Sequence, residues 1–337
     1  MTLRRLLSTL LVVPACTLLA PLAVLPAQAA ELDPVRVQLD WLPTGDKAFF
    51  YAGVAEGIYR DAGLDVTLAP GRGSPDAVTQ VAAGNADIGA AGINALMEAY
   101  AEGGAPVKAV MSIYSKPPEA VFTYEGSGVT DLATTLGKRM AYSMTSAPWP
   151  GVLRQAGLDP DAVNMVNVSP ASLAPMLAQG QVEMNLNWVT KQPDAESLME
   201  AAGRKLKVLP LSEYGLEGYA YSLLASQRMI DSRPEVLARF ITATREAIEF
   251  SIAHPEQAAA GLAKVVPESD PAILEGQLRA SFPLIDNEIS QADGLGVFEP
   301  QRLATTWRWV AESDGYAIDA IDPAALIDSR FLDTAAQ

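Results

Sequence analysis

The sequence is nearly empty of the residues that do most enzyme chemistry. It has one cysteine, Cys16, and one histidine, His254, in 337 residues. Cys16 lies inside the first thirty residues. If that stretch is removed, no disulfide, thiolate metal site or cysteine nucleophile can form. His254 stands just before Pro255 in a helical stretch and reads as a helix-end residue. Nucleophile–base pairs and metal clusters need histidine, cysteine or grouped carboxylates. The chain has no G-x-S-x-G, H-E-x-x-H, C-x-x-C or G-x-G-x-x-G, and the acids of "SDGYAIDAIDPA" (313–324) lack the EF-hand spacing. Gly71-Arg72-Gly73 is no phosphate loop, since it lacks the lysine and spacing of one. Catalysis by Asp, Glu and Lys alone stays open, but nothing points to it. No cofactor and no metal are expected.

Positive charge is also scarce, at 24 Lys and Arg against 40 Asp and Glu, a net −16. Long apolar runs are missing too, with one exception. Arg4-Arg5, the apolar stretch Leu6 to Pro26, and Ala27-Gln28-Ala29 have the three parts of an export signal peptide, expected at residues 1–29. Pro14, Pro21 and Pro26 interrupt the stretch and argue against a membrane anchor. "VPAC" faintly resembles a lipoprotein box, though Pro14 fits it poorly and the apolar run continues past Cys16. Without that segment the chain holds 40 acids and 22 bases, or −18. This argues against nucleic acid and anionic membrane as partners, while leaving room for a local anion site.

What is present is 49% hydrophobic content, enough for one large or two medium domains. Short β runs alternate with helical stretches, the sign of an α/β architecture. "VRVQLDW" (35–41), "LDVTLAP" (64–70), "ADIGAAG" (86–92) and "VKAVMSIY" (107–114) read as strands. Helices fall between them, with Asp46 and Ser74 as expected N-caps and Pro75 at N1. The pattern repeats with "KRMAYSM" (138–144), "VNMVNVS" (163–169), "VEMNLNW" (182–188) and "KLKVLPL" (205–211). From about Glu235 the chain is helical. "VFTYEGSGVTDLATT" (121–135) and "GYAYSLLAS" (218–226) read as crossings between two lobes. The expected division is lobe 1 at 30–122 plus 221–337, and lobe 2 at 123–220.

In open α/β sheets, ligands sit beyond the carboxyl ends of the strands. The residues at those turns are Asp40, Trp41 and Thr44; Arg72 and Ser74; Asn94; Thr145, Ser146 and Trp149; Trp188 and Lys191; Glu213, Tyr214 and Tyr219. Three of the five tryptophans are among them, while Trp307 and Trp309 lie on the last helix as core or inter-lobe packing. Several rings in one cleft suit a planar ligand, each ring pair being worth about 0.5–1.5 kcal/mol beyond burial. Each position also has a plainer role. Trp41 caps the lobe core or faces the cleft. Asp40 pairs with a local base or with a ligand. Ser74, Thr145 and Ser146 are caps or contacts, and Arg72 is a solvated loop charge or a contact. Asp76 already serves the dipole of the helix after Ser74.

"VRVQLDWLPTGDKAFFYAGVAEGIYRDAGLDVTLAPG", "AAGNADIG", "EYGLEGYAYSLLAS" and "WRWVAESDGYAID" together resemble periplasmic substrate-binding proteins of ABC importers. The subgroup it looks like binds pyrimidine precursors of thiamine, and has relatives for riboflavin, alkanesulfonates and taurine. The resemblance spans the mature chain. It implies a two-lobe clamshell of the type II periplasmic-binding-protein fold with a helical C-terminal extension, a small-molecule ligand, and an ABC permease at the inner membrane as partner. It further implies a monomer in the periplasm. Ring stacking and acid-to-amine bonds would come from Asp40, Trp41, Trp188, Glu213, Tyr214 and Tyr219. The chain departs from the pattern at Lys47, where relatives often carry histidine, and at Phe49-Phe50, where small residues often follow. A basic, bulkier rim is expected there, with Phe49 and Phe50 split between core and rim. An alternative ligand is a sulfonate or an aromatic carboxylate, paired by Arg72 or Lys191. Fungal enzymes of this fold carry a cysteine cluster and a histidine at the first turn. Neither is present here.

Overall fold

The computed structural model describes residues 31–143 and 148–332. The expected signal peptide with Cys16, and Thr145 and Ser146, lie outside the described residues.

The first β/α run is β1 (Asp33–Leu39), α1 (Ala48–Ala55), α2 (Ile58–Asp61), β2 (Leu64–Ala69), α3 (Ser74–Ala82), β3 (Ile88–Gly92), α4 (Ile93–Ala101) and β4 (Val107–Ser112). β1 alternates: Val35, Val37 and Leu39 are buried, while Arg36 and Gln38 face the other way. β3 is buried along its whole length, as a central parallel strand covered on both faces should be. The second run is β5 (Glu119–Tyr124), β6 (Arg139–Tyr142), α5 (Trp149–Gln155), β7 (Asn164–Asn167), α6 (Leu173–Ala178), β8 (Met184–Trp188), α7 (Gln192–Ala201) and β9 (Leu206–Pro210). The chain then returns as β10 (Tyr221–Ser226) and continues through α8 (Gln227–Ser232), α9 (Pro234–Ala253), α10 (Pro255–Ala263), α11 (Pro271–Ile285), α12 (Glu288–Asp293) and α13 (Pro300–Asp314).

Two five-stranded sheets result, ordered β2-β1-β3-β10-β4 and β7-β6-β8-β5-β9. They share one plan. In each, three neighbouring strands run parallel and the fourth, β10 or β5, is antiparallel to both its neighbours. That fourth strand is the one entered by crossing from the other lobe. β5 belongs to the second sheet from Glu119 onward, so the first crossing occupies 113–118, ahead of the boundary expected at 122. The reason is the pairing of "EAVFTY" with both β8 and β9, which makes it an interior strand and not a linker.

The helical extension does not pack on one lobe alone. On α13, Trp307 joins the core of the first lobe and Trp309 that of the second. Burying a large apolar side chain is worth about 1.5–3 kcal/mol, so this helix holds both lobes. α11 packs on α1 and α10 of the first lobe and on α7 of the second. The tail helices therefore bridge the two lobes.

Candidate ligand-binding site

The turn after β1 is shaped by its tail-helix neighbour. Gly45 donates its N–H to Gln277 Oε1 on α11 at 2.7 Å. A Cβ on Gly45 would stand 1.9 Å from the Leu274 carbonyl oxygen, so only glycine permits this approach. The following residues, Asp46 and Lys47, are thereby carried inward. Asp46 was expected as an N-cap, but its carboxylate caps no helix and is fully buried. Lys47 was expected at a basic rim, yet it is only 1% exposed. Phe49 and Phe50 were expected to divide between core and rim, and both lie in the core. The physical cause is the same for all three: α11 roofs the turn, leaving no rim for them to occupy.

Lys47 Nζ lies 2.9 Å from Asp46 Oδ2 and 3.3 Å from Asp40 Oδ1. It also sits over two rings, at 4.8 Å from the centroid of Tyr221 and 5.5 Å from that of Trp188. Tyr114 completes the surround, 5.4 Å from Tyr221 and 6.3 Å from Trp188. Its hydroxyl donates to the Asp46 carbonyl at 3.2 Å. Trp188 comes from β8, so this cage draws on both lobes. Two buried polar atoms in its wall make no hydrogen bond, Trp188 Nε1 and the Tyr221 hydroxyl. Orphaned groups of this kind are rare and ask for an explanation.

A second lysine closes the lobes over the cage. Lys191, directly after β8, donates to Asp46 Oδ1 at 2.7 Å and to Thr44 Oγ1 at 2.9 Å. Burial alone would push the Asp46 carboxyl up, but Lys191 and Lys47 outweigh it and hold Asp46 well below the usual carboxylate range. Desolvation likewise opposes the charge on Lys47, yet Asp40 and Asp46 reverse this and hold its ammonium above the usual value. Asp40 goes the other way: burial raises it, and Lys47 counters this only in part. Desolvation lowers Lys191 despite Asp46.

Beside the cage is a small, solvent-open cavity walled by Asn94, Glu98, Glu119, Tyr219, Trp309 and Asp314. Glu119 is the cross-strand partner of Trp188, and Ala220 in the cavity wall precedes Tyr221 of the cage, so the two spaces are neighbours. Desolvation pushes the Glu119 carboxyl up to about 7. Among the described residues, no lysine, arginine or histidine lines this cavity.

The structure gathers some of the residues read from sequence and disperses others. Asp40, Thr44, Lys47 and Trp188 meet at the cage and its bridge, and Asn94 and Tyr219 line the cavity. Ser74 stands close to them, but not as the expected N-cap. Its hydroxyl accepts the Gly92 N–H at 2.9 Å and ties the start of α3 to the end of β3. Trp41 is half-buried, and its carbonyl accepts the Gly71 N–H. Tyr219 spends its hydroxyl on the Glu299 N–H at 2.7 Å and offers only its ring. Trp149 is buried in the second-lobe core beside Trp309. Arg72 is 82% exposed and paired with Asp76. Glu213 is exposed and Tyr214 packs on the second-lobe core, so neither lines the cage or the cavity. Asp46, Tyr114, Glu119 and Tyr221 were not among the residues expected. Tyr221 and Glu119 start the two antiparallel strands, and that position was the available signal.

These features define a two-lobe α/β protein of the periplasmic-binding-protein fold, with its candidate site between the lobes. Solved structures agree. The chain superimposes on the alkanesulfonate-binding protein SsuA of Xanthomonas axonopodis pv. citri with a TM-score of 0.68 at 18% identity, covering 89% of this chain and 100% of that one. The aliphatic sulphonate binding protein SsuA of Escherichia coli gives 0.69 at 16%, covering 90% and 99%. The chain belongs to the NMT1/THI5-like family, whose profile matches residues 44–258. Among curated relatives, a 4-amino-5-hydroxymethyl-2-methylpyrimidine phosphate synthase of Candida albicans is 23% identical over 62% of this chain, which spans 64% of that relative's length. The riboflavin-binding protein RibY of Chloroflexus aurantiacus is 22% identical over 88% of both chains. The formylaminopyrimidine-binding protein of Halalkalibacterium halodurans is 22% identical over 75% of this chain and 74% of its own.

Proposed function

We propose that this protein is the solute-binding component of an ABC importer, and that it captures a small, planar, amine-bearing heteroaromatic. A pyrimidine precursor of thiamine is the best match. One observation carries this reading: the inter-lobe cavity is lined by carboxyl groups and rings, with no base among its described residues. Glu119 is suited to an aminopyrimidine edge. A carboxyl group that holds its proton near neutral pH accepts from the amino N–H with one oxygen and donates its O–H to the adjacent ring nitrogen, and two parallel bonds fix the ring in plane. Tyr219 and Trp309 supply faces for the ring. Family membership and the ligands for which the bacterial relatives are named support the same class.

The sulfonate alternative meets an acidic cavity. The two bases that would serve it are already engaged, Lys191 with Asp46 and Arg72 with Asp76. The synthase reading would need groups near the ligand that this chain places elsewhere. Its one histidine, His254, lies at the junction of α9 and α10 against the Phe250 ring. Among the described residues no helix is long and apolar enough to cross a membrane. Export by residues 1–29 to the periplasm, a monomeric state and delivery to a permease complete the proposal. The test is calorimetric titration of the mature chain with 4-amino-5-hydroxymethyl-2-methylpyrimidine, riboflavin, taurine and MOPS. Saturable heat with the pyrimidine alone is the expected result. Heat with only the sulfonates overturns the ligand class, and turnover of the pyrimidine during incubation overturns the binding-protein reading.

A further inference from the structure

The cage around Lys47 is unusual for what fills it. Three rings, Tyr114, Trp188 and Tyr221, and two carboxylates, Asp40 and Asp46, surround one point. Aromatic faces with carboxylates are the composition that proteins use to hold an ammonium group of a ligand. Here the ammonium belongs to the chain itself. Lys47 Nζ is within cation–π range of two rings and within ion-pair range of both acids. Nor is the lysine a perfect tenant, because Trp188 Nε1 and the Tyr221 hydroxyl remain without hydrogen bonds. Hydrophobic packing does not account for a buried lysine, since desolvating it costs several kcal/mol before any partner is counted. An unpaired cage would be the stronger cation trap of the two spaces, being more enclosed and richer in rings than the cavity next to it.

We propose that Lys47 is a specificity-determining residue: its ammonium occupies a cation cage beside the ligand cavity and bars any ligand ammonium or amine from entering there. The ligand's amino edge then has a single place to go, the carboxyl-lined cavity beside Glu119, and the orientation of the ring follows. This inference rests on the cleft being the ligand site, as proposed above. It adds that the charge preference of the site is set by subtraction, with one of two acidic spaces neutralised from within.

The experiment uses tetramethylammonium chloride, balanced against equal sodium chloride, on the mature wild type, Lys47→Met and Lys47→Arg. The readouts are Tm and tryptophan emission. Lys47→Met should give a saturable rise in Tm and a saturable change in emission, with an affinity about tenfold or more above any response of the other two chains. Lys47→Arg keeps a cation in place and should ignore the probe like the wild type. If Lys47→Met unfolds cooperatively yet does not respond, or if the wild type responds equally, the proposal is overturned. Should Lys47→Met lack a cooperative transition by itself, recovery of that transition with tetramethylammonium supports the proposal, and failure to recover it overturns it. No aminopyrimidine enters these measurements. A wild type that ignores aminopyrimidines while Lys47→Met takes the probe therefore removes the ligand reading alone.

Discussion

Lys47 and Glu119 are both neighbours of Trp188, one beneath its ring and the other as its partner across two strands. Around Lys47 the carboxylates have a cation, the lobes are locked, and there is no open space. Around Glu119, among the described residues, no lysine, arginine or histidine lines the wall, and a cavity open to solvent remains. The same ingredients, acids and rings, thus make a sealed joint beside Trp188 and a solvent-open cavity next to it. The difference is the pair of lysines, Lys47 and Lys191, that the joint holds. It teaches that a buried ion pair in such a cleft is as much a means of choosing where a ligand does not bind as a source of stability. Buried pairs contribute little net stability against an apolar alternative, but are costly to break from one side.

Breaking the joint should show that asymmetry most strongly. Asp46→Ala leaves Lys47 and Lys191 without their shared carboxylate and should destabilise the chain by about 3–5 kcal/mol, read by urea unfolding. A value under about 1 kcal/mol, the range of an exposed pair, would mean that the network is slack. Lys191→Met removes the bridge between lobes while leaving Lys47 paired. A loss of about 1–3 kcal/mol is expected, together with a larger radius of gyration in solution scattering, since the bridge is one of the ties that hold the lobes shut. Tyr219→Ala takes a ring from the cavity wall. The aminopyrimidine should then bind more weakly by about 0.5–1.5 kcal/mol for the ring pairing that Tyr219 supplies, measured by calorimetry against wild type.

The remaining effect concerns pH. The Glu119 carboxyl is raised by desolvation from the ordinary 4.5 to about 7. The folded chain then holds this proton more tightly than the unfolded chain does. Stability should fall as pH rises from about 4.5 to 7 on this account, with the full penalty present above 7 and none below 4.5. Glu119→Gln should flatten that part of the stability profile. An unchanged profile would show that Glu119 faces water and not a desolvated cavity.

Much of this architecture is legible in the sequence, and the reasons for the exceptions are physical. Parallel strands buried on both faces announce themselves as short apolar runs, as "ADIGAAG" does for β3, and the β/α alternation sets the two lobes. β5 was harder. "EAVFTY" continues into a turn and pairs with residues up to roughly 90 positions away, so nothing local separates an interior antiparallel strand from a crossing. The site divides in the same way. Asp40, Thr44, Lys47 and Trp188 follow from the rule that ligands meet the ends of strands. The environment of Lys47 does not follow from it, because charged residues next to a Pro/Gly turn ordinarily lie in water. Its burial depends on α11, whose Gln277 is 232 residues beyond Gly45, and on Tyr221 from a strand in the return crossing. Arg72 and Glu213 illustrate the converse: the right kind of turn, but with side chains that solvent keeps.

The hydrogen bond from Gly45 to Gln277 joins positions 232 residues apart. A ribosome adding roughly 5–20 residues per second needs on the order of 10–50 s to travel that distance. Throughout that interval the turn that will carry Asp46 and Lys47 has no roof. The joint therefore cannot set during the first part of synthesis, and a chain stopped before α11 would keep both sheets' worth of strands while having no lock to close and no sealed side to its cleft.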